Sequence, residues 1–221
     1  MFHPDKNPNQ KEKQAEKWAC RACPTSALVF SFSFATICKP DISASGRNRV
    51  MKERTGIITF KGNPFTLLGS ELKVGDKAPE FSVVDNSLAA TTLASYSGKI
   101  KVISAVPSLD TPVCDTETRR FNQEAAALPE NVVVLTISLD LPFAQKRWCG
   151  AAGIDRVTTL SDYQERSFAS AYGLLIKELK LLTRAVFIID ANDTISYIQI
   201  VPEVTAEPDY TAAIGAIKSL L

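Results

Sequence analysis

A single cysteine stands where a helix is expected to begin. Cys114 ends the stretch SLDTPVC, which follows the apolar run at residues 101–107. Proline is favoured at the first helical position and threonine just before it, so the spacing predicts a helix that begins at Pro112 with Thr111 as its N-cap. Cys114 is then in the first turn, near unpaired backbone N–H groups and the positive end of the helix dipole. Both features favour the thiolate over the thiol, and the thiolate is the nucleophile.

The same pattern also fits a cysteine with no chemical role. Cysteine is a small apolar side chain, and most cysteines outside disulfides are packing residues. The acidic side chains of Asp115 and Glu117 oppose a thiolate, whereas Arg119, Arg120 or an arginine from another strand favours one. The local pattern alone does not separate a reactive thiol from a buried apolar one.

The composition is typical of a soluble globular protein. The chain has 221 residues, of which 45% are hydrophobic and 22% charged, and this predicts one ordinary domain with an appendage. Five cysteines are too few for a disulfide scaffold, and an odd number leaves one unpaired, so a reducing compartment such as the cytoplasm fits best. The net charge of +1, without a basic stripe, does not indicate a nucleic-acid partner. No apolar run approaches the roughly 20 residues that cross a bilayer, so we expect no membrane association.

Residues 1–50 differ in character from the rest of the chain. They carry eight Lys or Arg and four Asp or Glu, and they show no sustained helical or strand period. We therefore expect a leader of uncertain structure that is not part of the core. Met51 is a natural beginning for the compact domain, which we place at residues 51–221.

Two features of the leader each match part of a known functional motif, but neither motif is complete. The sequence HPDKNP at its beginning resembles the signature loop of J-domain co-chaperones, but only two residues precede it where that family has a helix. Cys20, Cys23 and Cys38 invite a zinc hypothesis. A structural zinc site needs four closely spaced ligands, and the only histidine, His3, is poorly placed to be the fourth.

From residue 55 onwards the pattern is that of an α/β domain. Residues 56–60 and 65–68 flank a Lys-Gly-Asn-Pro turn, which predicts an N-terminal β-hairpin. Apolar and β-branched runs predict further strands at residues 81–85, 101–106, 132–139, 185–190 and 195–201. Helices are predicted at residues 112–127, 143–152, 164–172 and 210–221. Alternating strands and helices that end in a hairpin indicate a mixed central sheet with helices on both faces.

Several motifs together resemble the peroxiredoxins, and among them the atypical two-cysteine thiol peroxidases. Pro107, Thr111 and Cys114 match the PxxxTxxC pattern of the peroxiredoxins, within the longer motif PSLDTPVCDTETRRFNQEA. The likeness continues through ELKVGDKAPEFSVVD, FAQKRWCGAAGI and YGLLIKELKLLTRAVFIID, and it covers residues 55–221. It implies a thioredoxin-like fold and a homodimer with no metal, haem or flavin. It also implies an antioxidant enzyme that reduces hydrogen peroxide and alkyl hydroperoxides, with thioredoxin as its reductant.

The resemblance implies roles for five residues by their positions. Cys114 matches the peroxidatic cysteine, whose thiolate attacks the peroxide O–O bond and becomes a sulfenic acid. Thr111 matches the hydroxyl that orients the peroxide, and Pro107 the residue that shields the pocket from water. Arg184 matches the arginine that stabilises the thiolate and the polarised peroxide. Cys149 matches the resolving cysteine, which condenses with the sulfenic acid inside the same subunit.

These roles require a rearrangement, because Cys114 and Cys149 lie on two different predicted helices. A disulfide needs its two Cα atoms within about 7 Å of each other. We therefore expect the first turn of the Cys114 helix, and part of the helix that carries Cys149, to unfold locally when the bond forms.

Two other functions compete with the peroxidase hypothesis. A disulfide oxidoreductase on the same fold would need a CxxC motif at the helix start, and Thr111 stands where its first cysteine belongs. A binding chaperone is suggested by HPDKNP and by the apolar residues 27–38. The chaperone hypothesis predicts that Cys114→Ser stays active and that removal of residues 1–50 abolishes activity; the peroxidase hypothesis predicts the reverse on both counts.

Overall fold

The computed structural model describes residues 51–221. The predictions for residues 1–50, which concern the leader, HPDKNP and the cysteines at positions 20, 23 and 38, lie outside the described residues. Two sheets and four α-helices make up the described part of the chain. Each of these helices is too short or too polar to cross a membrane.

The strands and helices follow one another in the order of an α/β domain. The strands are β1 (Glu53–Phe60), β2 (Asn63–Leu68), β3 (Ser82–Val84), β4 (Ala90–Thr92), β5 (Ile100–Ala105), β6 (Val132–Ser138), β7 (Val157–Ser161), β8 (Leu175–Ile176), β9 (Ala185–Ile189) and β10 (Ile195–Ile200). The helices are α1 (Pro112–Ala125), α2 (Pro142–Ala152), α3 (Ser167–Ala171) and α4 (Tyr210–Lys218), with a short 3-10 helix at Leu93–Tyr96.

The predicted N-terminal hairpin is confirmed. Strands β1 and β2 pair antiparallel with Phe60 opposite Asn63, which leaves a two-residue turn. Both turn residues have positive φ, 50° at Lys61 and 77° at Gly62, as a type I′ turn requires. Glu203, in the segment after β10, accepts hydrogen bonds from the two backbone N–H groups of this turn, at 2.9 and 3.1 Å. The hairpin is thereby fixed to the carboxyl-terminal part of the chain.

The central sheet is mixed, with strand order β10-β9-β5-β6-β7-β3-β4. Strands β5, β6 and β7 are parallel, and α1 and α2 are the helices of their two crossover connections. Strand β9 runs antiparallel to β5, and β10 antiparallel to β9, so the predicted terminal hairpin is also confirmed. All six residues of β5 are buried, which is expected of a strand covered on both faces.

The side chains of β5 alternate between two hydrophobic clusters. Val102 packs with Phe121 of α1 and Ile217 of α4 on one face. Ile103 belongs to the cluster on the other face, with Phe168 of α3. Helices on both faces of a mixed sheet, as predicted, complete a thioredoxin-like fold.

The elements that the sequence did not predict are short or polar. Strands β4, β7 and β8 and the 3-10 helix have no counterpart among the predictions, and α3 begins at Ser167 instead of residue 164. Strand β7 has the sequence VTTLS and is mostly buried, but only two of its side chains are strongly apolar. Strand β7 forms because it pairs in parallel with β6. This pairing is a tertiary contact that the local sequence does not encode.

A buried carboxylate holds the start of α3. The two carboxylate oxygens of Asp162 accept hydrogen bonds from the backbone N–H groups of Phe168 (3.2 Å) and Ala169 (2.8 Å). Asp162 is only 1% exposed. Burial raises the pKa of Asp162 to about 6, although its hydrogen bonds oppose the rise.

The Asp162 carboxyl group predicts a pH dependence of stability. Because its folded pKa lies above the unfolded value of about 3.9, the folded state binds the extra proton, and this contribution is present below pH 4 and lost as the pH rises through 6. Asp162→Asn removes the titration and keeps one acceptor. Urea unfolding at several pH values is expected to show a wild-type free energy of unfolding that falls about 2 kcal/mol more between pH 4 and 7 than that of the variant. Parallel profiles would contradict the assignment.

Candidate active site

Helix α1 begins at Pro112 and its N-cap is Thr111, in extended conformation, as the sequence predicts. Cys114 is the third residue of the helix and is fully buried, at 0% exposure. The Thr111 side chain does not cap the helix backbone. Its Oγ1 lies 2.8 Å from the Cys114 Sγ and 2.8 Å from the carbonyl oxygen of Ser108. The hydroxyl is therefore a hydrogen-bond partner of the sulfur and not a cap of the helix.

The Thr111 hydroxyl has one proton for two possible acceptors. When Cys114 is a thiol, its S–H can donate to Thr111 Oγ1 while the hydroxyl donates to the Ser108 carbonyl. When Cys114 is a thiolate, it can only accept, so the Thr111 hydroxyl proton turns to the sulfur and the Ser108 carbonyl keeps only the Thr111 backbone N–H, at 3.1 Å, as its donor. The direction of this hydrogen bond is thus coupled to the charge on the sulfur.

The second contact to the sulfur comes from Arg184, the residue immediately before β9. Its Nη2 lies 3.3 Å from the Cys114 Sγ, and its Nε donates to the Val204 carbonyl at 3.1 Å. Arg184 is 1% exposed. Burial opposes its charge, but the neighbouring Glu117 and Cys114 outweigh burial and raise the pKa of Arg184 above its ordinary value. The buried sulfur therefore faces a permanent positive charge.

Glu117 also belongs to this site, in a role that the sequence did not predict. It was expected only to oppose a thiolate, but it forms an ion pair with Nη1 of Arg184 and accepts a hydrogen bond from Ser104 Oγ at 2.6 Å. Burial raises the pKa of Glu117, while Arg184 and Ser104 pull it down. The position of Glu117 could have indicated this role, because a residue three places after Cys114 lies on the same face of the helix.

The other arginines suggested by the sequence do not contact the sulfur. Arg119 bonds to Asp115 at 2.9 Å and to the Ala152 carbonyl at 2.8 Å. The Arg120 guanidinium lies 4.1 Å from the centre of the Tyr210 ring. Of the candidates, the arginine from another strand, Arg184, supplies the contact.

The loop between β5 and α1 is held firmly. Pro107, two residues after β5, is buried. The Asp140 carboxylate, after β6, accepts hydrogen bonds from Ser108 Oγ (2.7 Å) and from the Leu109 N–H (2.8 Å). Leu109, Cys114 and Trp148 then pack in one apolar cluster. The loop backbone is thereby fixed around the sulfur.

Cys149 lies on α2 and is half-buried. Its Sγ is 3.3 Å from Thr159 Oγ1 on β7, and the Asn86 side-chain amide lies 2.8 Å from the same hydroxyl. Cys114 and Cys149 are both free thiols. The structure thus brings Thr111, Arg184 and Cys114 together and directs Cys149 towards β7.

Polar contacts join α1 to α2 next to both cysteines. Trp148 Nε1 donates to an Asp115 carboxylate oxygen at 3.0 Å, and the other oxygen of Asp115 accepts from Arg119. Arg119 in turn donates to the Ala152 carbonyl at the end of α2. Asp115 follows Cys114 and Trp148 precedes Cys149, so these bonds, which we call the α1–α2 contacts, have to break if the two helix segments separate.

Residues 51–221 contain no group of three or more His, Cys, Asp or Glu side chains arranged to hold a metal ion.

Comparison with known proteins places the chain among close relatives. The sequence matches the Redoxin family over residues 73–214. It is 58% identical over 164 residues to a protein named thiol peroxidase from Halalkalibacterium halodurans, across 74% of this chain and 98% of the relative. It is 56% identical over 164 residues to the thiol peroxidase of Bacillus subtilis, again across 74% of this chain and 98% of the relative.

Solved structures agree with the fold. A peroxiredoxin-like protein from Aquifex aeolicus superimposes with a TM-score of 0.71 and 47% identity, across 77% of this chain and 99% of that protein. A thiol peroxidase from Chromobacterium violaceum has a TM-score of 0.67 at 21% identity, across 73% of this chain and 95% of that protein.

The Arg184–Glu117 ion pair predicts a large effect of a small change. Glu117→Gln preserves shape but leaves the Arg184 charge buried without its counter-ion, so we expect the free energy of unfolding to fall by about 3 kcal/mol in urea denaturation. The matched control is Glu53→Gln, which breaks the half-exposed Lys177–Glu53 pair and should cost about 1 kcal/mol or less. Equal losses in the two variants would contradict a charged buried pair.

Proposed function

Since the chain belongs to the thiol peroxidases of the Redoxin family, we propose that it reduces hydrogen peroxide and alkyl hydroperoxides through a thiolate at Cys114. One observation carries the proposal. The Cys114 sulfur lies between a hydroxyl that can donate to it, on Thr111, and a guanidinium that is always charged, on Arg184.

In the first step the Cys114 thiolate attacks one peroxide oxygen. An S–O bond forms and the O–O bond breaks, so the cysteine becomes a sulfenic acid and the distal oxygen leaves with the electron pair. The leaving oxygen takes up a proton and departs as water or an alcohol. Arg184, with its fixed charge, stabilises both the thiolate and the charge that develops on the leaving oxygen.

Thr111 and Pro107 have supporting roles in this step. The Thr111 hydroxyl gives up its bond to the sulfur as the peroxide binds, and its proton then orients the peroxide for attack by the thiolate. Thr111 is exposed, whereas Cys114 and Pro107 are buried, so the peroxide approaches from the side of Thr111. Pro107 keeps water from the other side, which protects the sulfenic acid until it is resolved.

In the second step the Cys149 thiolate attacks the Cys114 sulfur. The S–S bond forms, the S–O bond breaks, and hydroxide leaves and is protonated to water. The Cys149 side chain contacts β7 in the reduced protein, so α1 and α2 must first give up the α1–α2 contacts next to the two cysteines.

In the third step a dithiol protein of the thioredoxin type reduces the disulfide by exchange. The sum of the three steps converts one peroxide and one dithiol into an alcohol or water, a second water and a disulfide. We further propose that the protein acts as a homodimer in the cytoplasm, which rests on the family likeness and on the use of cysteine. Residues 51–221 are proposed to suffice for the reaction.

The two-cysteine cycle predicts different defects for the two cysteine variants. In an assay that couples peroxide consumption to thioredoxin, thioredoxin reductase and NADPH, Cys114→Ser is expected to fall to the rate without enzyme, because no nucleophile remains. Cys149→Ser is expected to consume about one equivalent of peroxide per subunit and then stop, because its sulfenic acid finds no partner thiol.

Several outcomes would contradict the proposal. Equal peroxide consumption by the wild type and both variants would make Cys114 a packing residue. An active Cys114→Ser variant together with an inactive chain lacking residues 1–50 would favour the chaperone function instead. Continued turnover by Cys149→Ser with thioredoxin would show that the reductant acts directly on Cys114.

The rearrangement predicts a local loss of protection on oxidation. Because the α1–α2 contacts must break, amide hydrogen exchange should be faster in the disulfide form over the first turn of α1 and over α2. The hairpin of β1 and β2, which packs in a cluster that contains no residue of α1 or α2, is the internal control and should exchange equally in both forms. Unchanged protection around the cysteines would contradict the local unfolding.

A further inference from the structure

Cys149 has a polar neighbour of its own, separate from the groups around Cys114. Thr159 projects from β7 and is 2% exposed, with its Oγ1 3.3 Å from the Cys149 Sγ. The Asn86 Nδ2, from the turn between β3 and β4, lies 2.8 Å from the same Oγ1. Three elements that are distant in sequence thus converge on one hydroxyl.

The charge on the Cys149 sulfur sets the direction of its bond to Thr159. The Asn86 amide N–H can only donate, so it occupies one lone pair of the Thr159 oxygen, and the second lone pair can accept from the Cys149 thiol. When Cys149 is a thiolate, it can only accept, and the Thr159 hydroxyl proton, which has no other acceptor within the described residues, turns to the sulfur. The Asn86 Oδ1 is buried and has no partner among residues 51–221, so the contact with Thr159 is the one that orients the amide.

We propose that Thr159, oriented by Asn86, is a positioning residue that stabilises the thiolate of Cys149. A donor aimed at a sulfur favours the charged, accepting form of that sulfur. The thiol proton of Cys149 passes to solvent, and the Thr159 proton stays on its own oxygen. The inference rests on the proposed function in one respect, because a thiolate at Cys149 is what the attack on the sulfenic acid requires.

The surroundings of Cys149 allow a reagent to reach it. A groove of about 400 Å³ runs beside the cysteine, and Asn86 and Thr159 are among its lining residues. The charged groups on this groove are Asp85 from the turn after β3, Lys146 from α2 and Asp155 from the loop before β7. Asp115 and Arg119 face α2 from α1. These charges are the same in every variant below, so differences between variants report on the hydroxyl.

The first experiment measures the thiolate directly. In the full-length Cys114→Ser protein, alkylation of Cys149 by iodoacetamide is followed by peptide mass spectrometry from pH 6 to 10, which separates Cys149 from the other cysteines. Adding Thr159→Val is expected to slow the reaction about fivefold at pH 7, the value of one ordinary hydrogen bond. The rates should converge at high pH, where every variant holds the thiolate. Thr159→Ser, which keeps the hydroxyl, should restore the wild-type profile.

A merely structural role for Thr159 predicts a different result. Altered packing would change the exposure of Cys149 and shift the alkylation rate by one factor at all pH values. Superimposable profiles for Thr159→Val and the wild type would overturn the proposal. The role of Asn86 is tested by Asn86→Ala, which should slow alkylation when Thr159 is present and have no further effect in Thr159→Val. Additive effects of the two substitutions would overturn the claim that Asn86 acts through the hydroxyl.

The second experiment separates this inference from the proposed function. With both cysteines present, hydrogen peroxide is mixed rapidly with reduced protein, and disulfide formation is followed by acid quenching and mass spectrometry. Thr159→Val is expected to leave sulfenic acid formation unchanged and disulfide formation no slower, because Cys149 gives up its contact with Thr159 on β7 before it reaches Cys114. If Cys149 never enters a disulfide while its alkylation still depends on Thr159, the proposed cycle fails and the thiolate assignment stands. If the disulfide forms while the alkylation of Cys149 does not depend on Thr159, the assignment fails and the cycle stands.

Discussion

The buried ion pair between Arg184 and Glu117 is the constraint on which the site depends. A guanidinium removed from water needs a counter-ion and acceptors for its remaining N–H groups, or the fold does not tolerate it. Glu117 supplies the charge from α1, and Val204 supplies a carbonyl from the chain after β10. Because Glu117 and Cys114 lie on one face of α1, the pair that satisfies the buried charge also sets the sulfur against the third nitrogen of the guanidinium.

In the proposed cycle, contacts that stabilise the reduced form oppose disulfide formation. The bonds from Trp148 to Asp115 and from Arg119 to the Ala152 carbonyl secure α1 against α2. An ordinary hydrogen bond contributes about 1 kcal/mol, and one to a charged group about twice that. Breaking this set therefore costs a few kcal/mol, which the new S–S bond must offset. The proposed cycle therefore requires a reduced form that is rigid enough to activate a thiol and only a small free energy away from a form in which the two cysteines can meet.

Sequence patterns predicted the parts of this structure that local chemistry determines. The hairpin turn at Lys61 and Gly62, the start of α1 at Pro112 and the buried strands β5, β6 and β9 follow from strong local signals. Strand β7 and the parts played by Glu117, Thr159 and Asn86 were not predicted, because each depends on partners from distant segments. A glutamate in the second turn of a helix looks the same in sequence whether it meets water or a buried arginine. The family motifs identified Cys114 and Arg184 as site residues. Only the fold shows that the Cys114 Sγ and the Arg184 Nη2 lie 3.3 Å apart.

The late position of Val204 in the chain has a consequence for biosynthesis. Arg184 is anchored to the Val204 carbonyl, and the next residue back, Glu203, holds the turn of the N-terminal hairpin through Lys61 and Gly62. A ribosome delivers these segments in order, from the amino terminus onwards. The nascent chain therefore carries Cys114 while residues 115–204, which include the guanidinium and its anchor, are still being added. The thiol acquires its electrostatic environment only when the carboxyl-terminal segment closes on the hairpin, so an incomplete chain holds an ordinary cysteine.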